Sequence, residues 1–455
     1  MDNATKRAYA LFAVIGGFFI GLIILIYTFV AHGSSWATNR ANQHLYSNGS
    51  VSTFGDIYDR NDKALAVTVD GKRKYNINSV IRKSTLHAVG DLNGFISTGV
   101  QYTFRNTLAG YSPINGIASI VQYGKGNDVH LTLDAQVCRV AYNALNGRNG
   151  TVCAYNYHTG EILCMVSAPT YDPENKPSDI DNNPIYDGVY INRTITGLYT
   201  PGSIFKVVTA ISAIENIPDI DSRTYDCDGK YETTDGTVIC NDVHNEVNFQ
   251  QALNRSCNSA FADIALELGK TKLTETAKEL GFNTQLTANG VADPSKSRFN
   301  VKSASRADLG WAGIGQYTTL VNPYHMMTIM GCIANDGIAV MPFLIDHIKT
   351  PQGVKIPTKV AVSDSIKLKP ETAKKIGAML RSDITDYYGD GRFPNLQMCG
   401  KTGTAEIDKG QPHSWFVGYS QNEQTPYAIA VIVENGGTGL SAAAIIANTV
   451  MQSIK

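Results

Sequence analysis

The sequence predicts an α+β fold: a large C-terminal region built on a mostly antiparallel sheet flanked by helices, carried on a strand-rich stalk behind a single N-terminal transmembrane helix. Three observations lead there. An uncharged apolar run near the amino terminus is followed by a segment that alternates apolar and polar residues. In the remainder, strand-like stretches gather early (129–168) and late (413–434), with long helical patterns between them. The strands at each end are joined by short turns, which make neighbours antiparallel. With 455 residues, 43% apolar and 17% charged, the chain can bury a sizeable core in several folded units. A formal net charge of −1 gives no basic surface for nucleic acid.

The first element is Ala8–Ala31, "AYALFAVIGGFFIGLIILIYTFVA", 24 residues without a charge. At about 1.5 Å per residue it is long enough to cross a hydrocarbon core of ~30 Å. It exceeds the apolar core of a cleaved secretory signal, so an uncleaved anchor is expected. Lys6 and Arg7 precede it and the next positive residue is Arg40, which keeps the amino terminus in the cytoplasm. The expected organisation is a short cytoplasmic tail (1–7), the anchor (8–31), an extracytoplasmic stalk (32–145) and a large C-terminal domain (146–455).

In the stalk, "FGDIYDRNDKALAVTVDGKRKYNIN" places Leu65, Val67 and Val69 at alternate positions between turn signals, a strand pattern. Next comes a short strand, Val129–Leu133, and a helix with Asp134 as its N-cap. Two apolar runs then flank Tyr157-His158-Thr159-Gly160, a hairpin. Helical patterns fill 203–282 and 306–336, and "HSWFVGYS" and "YAIAVIVE" return to strand periods before a closing helix.

The chemistry begins at "YTPGSIFKVVTAISAIEN", where Ser203 and Lys206 stand three residues apart at the start of a run that is apolar on all faces. Such a helix is buried, and residues three apart share a face. A serine hydroxyl needs a base nearby, and a lysine stripped of water loses affinity for its proton. A neutral Lys206 amine can therefore serve Ser203. "LNRSCNSAFADIA" adds Ser256 and Asn258 at another helix start, either as a helix cap or as a proton relay and a carbonyl-holding amide. "MCGKTGTAE" adds Lys401, Thr402, Gly403 and Thr404, either as a charged turn or as a carboxylate-binding strand; at Gly403 the missing side chain lets a substrate backbone lie close.

S-x-x-K, S-x-N and K-T-G in this order form the active-site set of penicillin-binding proteins and serine β-lactamases. The chain resembles the penicillin-binding transpeptidases, also in "TGEILCMVSAPTYDP", "NRTITGLYTPGSIFK", "GIGQ" and "HSWFVGYS". "GDIYDRNDKALA" and the single anchor are similar to the monofunctional, class B members. The resemblance implies Ser203 as acylated nucleophile, Lys206 as base, and Ser256 and Asn258 as proton shuttle and peptide holder. It implies Lys401, Thr402 and Thr404 on the terminal carboxylate, and the backbone N–H groups of Ser203 and Thr404 as oxyanion hole. The implied activity is peptidoglycan D,D-transpeptidation on D-Ala-D-Ala stem peptides, blocked by β-lactams, without a cofactor. The implied setting is a bacterial cell membrane, with a multi-spanning glycan polymerase as partner. The same motifs serve D,D-carboxypeptidases and β-lactam-hydrolysing or β-lactam-sensing relatives, which stay open at this point. The chain departs from the family at Phe54, where arginine is frequent, at Ile204, where threonine is, and at Asn245, where glycine is.

Of eight cysteines, six sit in apolar or motif contexts and read as buried thiols. Cys227 and Cys240 bracket a hairpin-like stretch and are a candidate disulfide in an oxidising compartment, with spacing alone leaving them bonded or free. No C-x-x-C or H-E-x-x-H spacing occurs, and no metal is expected.

Overall fold

A computed structural model describes residues 2–37, 46–47, 50–51, 54–111, 123–290, 292–407 and 410–454. The first element is one helix, Asn3–Ala37, longer than the apolar run itself. Its apolar side chains stand exposed, and by length and composition it can cross a membrane.

Five strands carry the site: β1 (Gly150–Asn156), β2 (Ile162–Ala168), β3 (Met398–Ala405), β4 (His413–Ser420) and β5 (Tyr427–Val433). Their order is β3-β4-β5-β1-β2 and every neighbouring pair is antiparallel. The two ends of the region thus meet where β5 pairs with β1, as the early and late strand patterns require. All seven residues of β5 are buried, which means that both faces are covered. Helices Pro323–Ala334 and Ala443–Met451 pack on β4 and β5, and Ala135–Leu145 packs on β2. Asp134 caps the last of these through the backbone N–H groups of Gln136 and Val137.

A second, six-stranded sheet contains the stalk strands Ile57–Tyr58, Ala64–Val69, Lys72–Tyr75 and Asp128–Leu131. It is completed by Ile345–Lys349 and Lys355–Pro357, which arrive from beyond residue 146. Stalk and catalytic regions therefore share a sheet, and a boundary drawn at 145/146 cuts through paired strands. Phe54 is buried there, and its carbonyl accepts a hydrogen bond from the Thr68 hydroxyl.

Candidate active site

The edge strand β3 holds the site together. Packed against it is the turn that carries Ser203, a 3₁₀ segment Gly202–Phe205 rather than the first turn of the predicted α-helix; helix α1 (Lys206–Asn216) starts at the lysine. Phe205 anchors this turn in the core, stacked on Phe299 at 5.1 Å and edge-on to Phe282 at 5.5 Å. Gly202 has a φ of +54°, and a Cβ there would lie 2.6 Å from the Thr404 carbonyl oxygen. Only glycine lets the nucleophile turn approach β3 this closely.

Gly403 serves the same approach from the other side. A Cβ on it would meet Ile204 Cγ2 at 2.9 Å, the Pro201 carbonyl oxygen at 3.0 Å and Trp415 Cβ at 3.1 Å. Its open face is filled by the nucleophile turn, so it is buried and does not line the cavity. The expectation that Gly403 makes room for substrate is corrected: it makes room for Ile204, the residue that replaces the family's threonine. Thr402 and Thr404, on the other face of the strand by the period-2 rule, do line the cavity.

Ser256 and Asn258 flank the start of helix α2 (Asn258–Glu279). Neither is its N-cap. Cys257 takes that position, its sulfur accepting from the Ala260 N–H. Ser256 adopts a left-handed conformation, φ +54°, uncommon for serine. This turns both its carbonyl and its hydroxyl toward Lys206.

Lys206 Nζ lies 2.9 Å from Ser203 Oγ, 2.7 Å from Asn258 Oδ1, 2.9 Å from the Ser256 carbonyl and 3.1 Å from Ser256 Oγ. The side chain is fully buried. Burial first, then the positive charge of Lys401, pulls its pKa down to about 7. A neutral amine has two N–H donors and one lone pair. Two neighbours, Asn258 Oδ1 and the Ser256 carbonyl, can only accept. They take both N–H bonds and leave the lone pair to face the two serine hydroxyls. The arrangement fits a base.

Lys401 is equally buried but differently held. Its Nζ donates to Tyr388 Oη at 2.8 Å and lies 3.4 Å from Asp383 Oδ2. Burial opposes its charge, but Asp383 and Tyr388 more than offset this, and its pKa stands above the ordinary lysine value. Asp383 is pushed up to about 7 by burial, against the pull of Lys401. Among the described residues neither of its oxygens accepts a hydrogen bond. Tyr388 Oη also lies 2.6 Å from Thr402 Oγ1, so the phenol bridges the buried ammonium to a cavity-lining hydroxyl.

Sequence reasoning missed Asp383 and Tyr388. They sit on a π-helical segment, Asp383–Gly389, that continues helix Pro370–Ser382. Residues five apart face the same way in a π-helix, so both side chains reach Lys401. One signal was present: Ala373, Ile376, Leu380 and Asp383 keep a three-to-four-residue period, which puts an acid on an apolar face.

The cavity is about 630 Å³ and is lined by Ser203, Ser256, Asn258, Thr402 and Thr404 together with Trp311, Tyr387 and Glu406. All three motif segments converge on it. Lys206 and Lys401 stand behind its wall.

Of the two states left open for Cys227 and Cys240, the structure shows the free one: all eight cysteines are free thiols. Cys240 Sγ accepts from the Asn258 N–H at 3.1 Å and lies 3.9 Å from Cys257 Sγ, whereas Cys227 turns toward Ser259. Asn245, where relatives carry glycine, has a φ of +54°. The loop thus keeps the left-handed backbone that glycine favours and asparagine tolerates.

Residues 150–452 match the family model for the penicillin binding protein transpeptidase domain. The chain is 29% identical over 356 residues to the peptidoglycan D,D-transpeptidase PbpA of Mycolicibacterium smegmatis, covering 70% of this chain and 69% of that one. It is similar to the crystal structure of the D,D-transpeptidase domain of a peptidoglycan glycosyltransferase from Eggerthella lenta (26% identity, TM-score 0.76, 88% of this chain and 97% of that one). The fold is also that of penicillin-binding protein A from M. tuberculosis in its ceftriaxone acyl-enzyme complex (24% identity, TM-score 0.78, 89% of this chain and 99% of that one).

Proposed function

This chain belongs to the penicillin-binding transpeptidases, in their monofunctional class B branch, and on that premise we propose how its own residues perform peptidoglycan D,D-transpeptidation. The observation that carries the proposal is the four-contact environment of Lys206. The neutral amine takes the proton of Ser203 as Oγ attacks the carbonyl carbon of the penultimate D-Ala. The carbonyl oxygen becomes an oxyanion held by the backbone N–H groups of Ser203 and Thr404. Collapse breaks the peptide bond. The proton passes from Lys206 through the Ser256 hydroxyl to the leaving nitrogen, and D-Ala departs. A stem-peptide amine then attacks the ester, gives its proton back along the same path, and frees Ser203.

Asn258 holds the donor peptide. Thr402 and Thr404 receive its terminal carboxylate, with the Lys401 charge behind them transmitted through Tyr388. A β-lactam presents the same carboxylate and an acylating carbonyl, and leaves Ser203 as a stable ester. The helix Asn3–Ala37 anchors the enzyme in the bacterial membrane with its amino terminus inside, since Lys6 and Arg7 precede the span. The catalytic region then works outside, beside a glycan polymerase that supplies uncross-linked strands.

The test uses the full chain in detergent. A fluorescent penicillin should label one peptide, and that label should vanish in Ser203→Ala. Retained label in the variant overturns the assignment. Incubation with lipid-linked peptidoglycan and a polymerase should yield cross-linked dimers. Release of D-Ala without dimers would make the enzyme a carboxypeptidase instead.

A further inference from the structure

Transpeptidation needs two peptides at one serine, and the groups described so far hold only the donor. A second cavity, of about 600 Å³, adjoins the catalytic one. It runs between the loop 241–243, the helix Phe249–Asn254 and the π-helical segment Asp383–Gly389. The two cavities share three wall residues, Asn241, Arg255 and Tyr387.

The direction of the reaction gives this groove its meaning. Tyr388 is hydrogen-bonded to Thr402, which receives the donor's terminal carboxylate. D-Ala therefore departs on the Tyr388 side of the catalytic cavity, and the next residue, Tyr387, stands exposed on the wall shared with the groove. Attack on the ester by an amine is acylation run backwards with a new nitrogen. By microscopic reversibility the acceptor nitrogen enters along the path by which the D-Ala nitrogen left. The groove opens on that path.

We propose that this groove binds the acceptor stem peptide and feeds its amine to the Ser203 ester, an inference that rests on the transpeptidase reading and deepens it. The lining suits a peptide that arrives carrying an ammonium. Its carboxylates are Asp242 and Asp386. The Ser382 and Thr385 hydroxyls donate to Asp386 at 2.6 and 2.7 Å, which fixes the carboxylate and holds its pKa below the ordinary value. Carboxylates along a groove raise the local concentration of a cationic substrate.

Asn248 and Gln251 use their side-chain oxygens in the capping box of the short helix. Their NH₂ groups have no protein partner among the described residues, and they match the carbonyls of a peptide. Arg255 donates one N–H to the His244 carbonyl at 3.2 Å and forms no ion pair with an acid among the described residues. Standing on the shared wall, it is open to a carboxylate of the acceptor stem. At the ester the amine, having given its extra proton to water, bonds to the acyl carbon. The bond from that carbon to Ser203 Oγ breaks, and one N–H proton passes through Ser256 and Lys206 to Oγ.

The test separates acceptor use from acylation. The full chain in detergent is given lipid-linked peptidoglycan and a polymerase, and the ratio of cross-linked dimers to hydrolysed monomers is measured. A soluble stem tetrapeptide, which has an amine to accept with and no D-Ala-D-Ala to donate, is then titrated in as acceptor. Arg255→Gln and the double variant Asp242→Asn/Asp386→Asn should each lower the dimer-to-hydrolysis ratio roughly tenfold, well beyond any change in penicillin acylation. The tetrapeptide concentration for half-maximal transfer should rise by a similar factor, and excess tetrapeptide should restore transfer. Should the double variant fail to fold, Arg255→Gln decides alone. An unchanged ratio and an unchanged half-maximal concentration would overturn the proposal. So would a parallel fall in acylation and dimers, which would make these residues mere supports of the catalytic cavity. Absence of dimers from the unaltered chain would overturn the transpeptidase reading itself, and this inference with it.

Discussion

Lys206 and Lys401 are both fully buried, yet the protein treats them in opposite ways. Around Lys206 are neutral oxygens from Ser203, Ser256 and Asn258, and its pKa falls to about 7 through burial and the charge of Lys401. Around Lys401 are Tyr388 and the carboxyl of Asp383, and its pKa rises. Burial is the same, so the difference comes from what faces each ammonium, above all Asp383 and Tyr388 beside Lys401. A lysine without a carboxylate is set up to exchange a proton; a lysine with one is fixed as a charge. The fixed charge also helps to discharge its neighbour, so the two pockets are one electrostatic device.

The comparison breaks most visibly if Lys206 is not the base. Lys206→Met keeps an unbranched side chain, one atom shorter, and removes the amine. Acylation by penicillin should fall by roughly 10²–10⁴-fold, the usual contribution of general base catalysis, with the circular dichroism spectrum unchanged. Near-normal acylation would sink the reading. The next largest effect should appear in stability. Asp383→Asn leaves the Lys401 ammonium buried without its counter-charge, and uncoupling such a pair costs about 3–5 kcal/mol. Urea denaturation reads this directly; an unchanged midpoint would mean that Lys401 does not carry a charge that needs Asp383.

The pH profile separates the two lysines more finely. Below about pH 7 Lys206 is an ammonium and cannot accept a proton; above it the amine is free. Acylation at saturating penicillin should therefore rise about tenfold per pH unit on the acid side and level off above the midpoint. Lys401 stays charged across this range, so any second step near neutrality should report Asp383, which burial has pushed up to about 7, and should vanish in Asp383→Asn. A flat profile would remove Lys206 from the rate-limiting proton transfer.

The Lys206 pocket was legible in the sequence because its parts are short local runs with chemical identity: a serine one turn before a lysine, a serine and an asparagine at a helix start. The antiparallel sheet was legible for a similar reason, since its strands alternate or run apolar between turn residues. The Lys401 pocket was only half legible. Lys401 itself stands in K-T-G, but its acid lies 18 positions earlier, marked only by the apolar period of Ala373, Ile376 and Leu380 that it continues, and the π-helical turn that aims it at Lys401 follows from no local pattern. That Cys227, Cys240, His244 and Cys257 gather in one place was not legible, because they come from three strand ends and a helix cap. Gly403 was misread because strand alternation alone does not say which face meets the substrate. That depends on the turn packed behind it, where Ile204 and Pro201 fill the space.

Tyr388→Phe gives the smallest effect and probes how the second pocket speaks to the cavity. The phenol donates or accepts at Thr402 Oγ1 over 2.6 Å and receives a hydrogen bond from Lys401 Nζ over 2.8 Å. Its loss removes a bridge, not a charge, and a hydrogen bond to a charged group is worth about 1.5–3 kcal/mol. If the Lys401 pocket serves substrate binding, this energy should appear as weaker initial binding of penicillin, roughly tenfold to a hundredfold, with the acylation rate at saturation nearly unchanged. If Lys401 acts mainly by holding the Lys206 pKa down, the split reverses. Binding is then preserved, the saturated rate falls, and the midpoint of the pH profile moves, because the ammonium has lost a partner that fixed its position. Measuring the binding constant and the saturated rate on one variant therefore decides which of its two neighbours, the cavity or the base, the charged lysine chiefly serves.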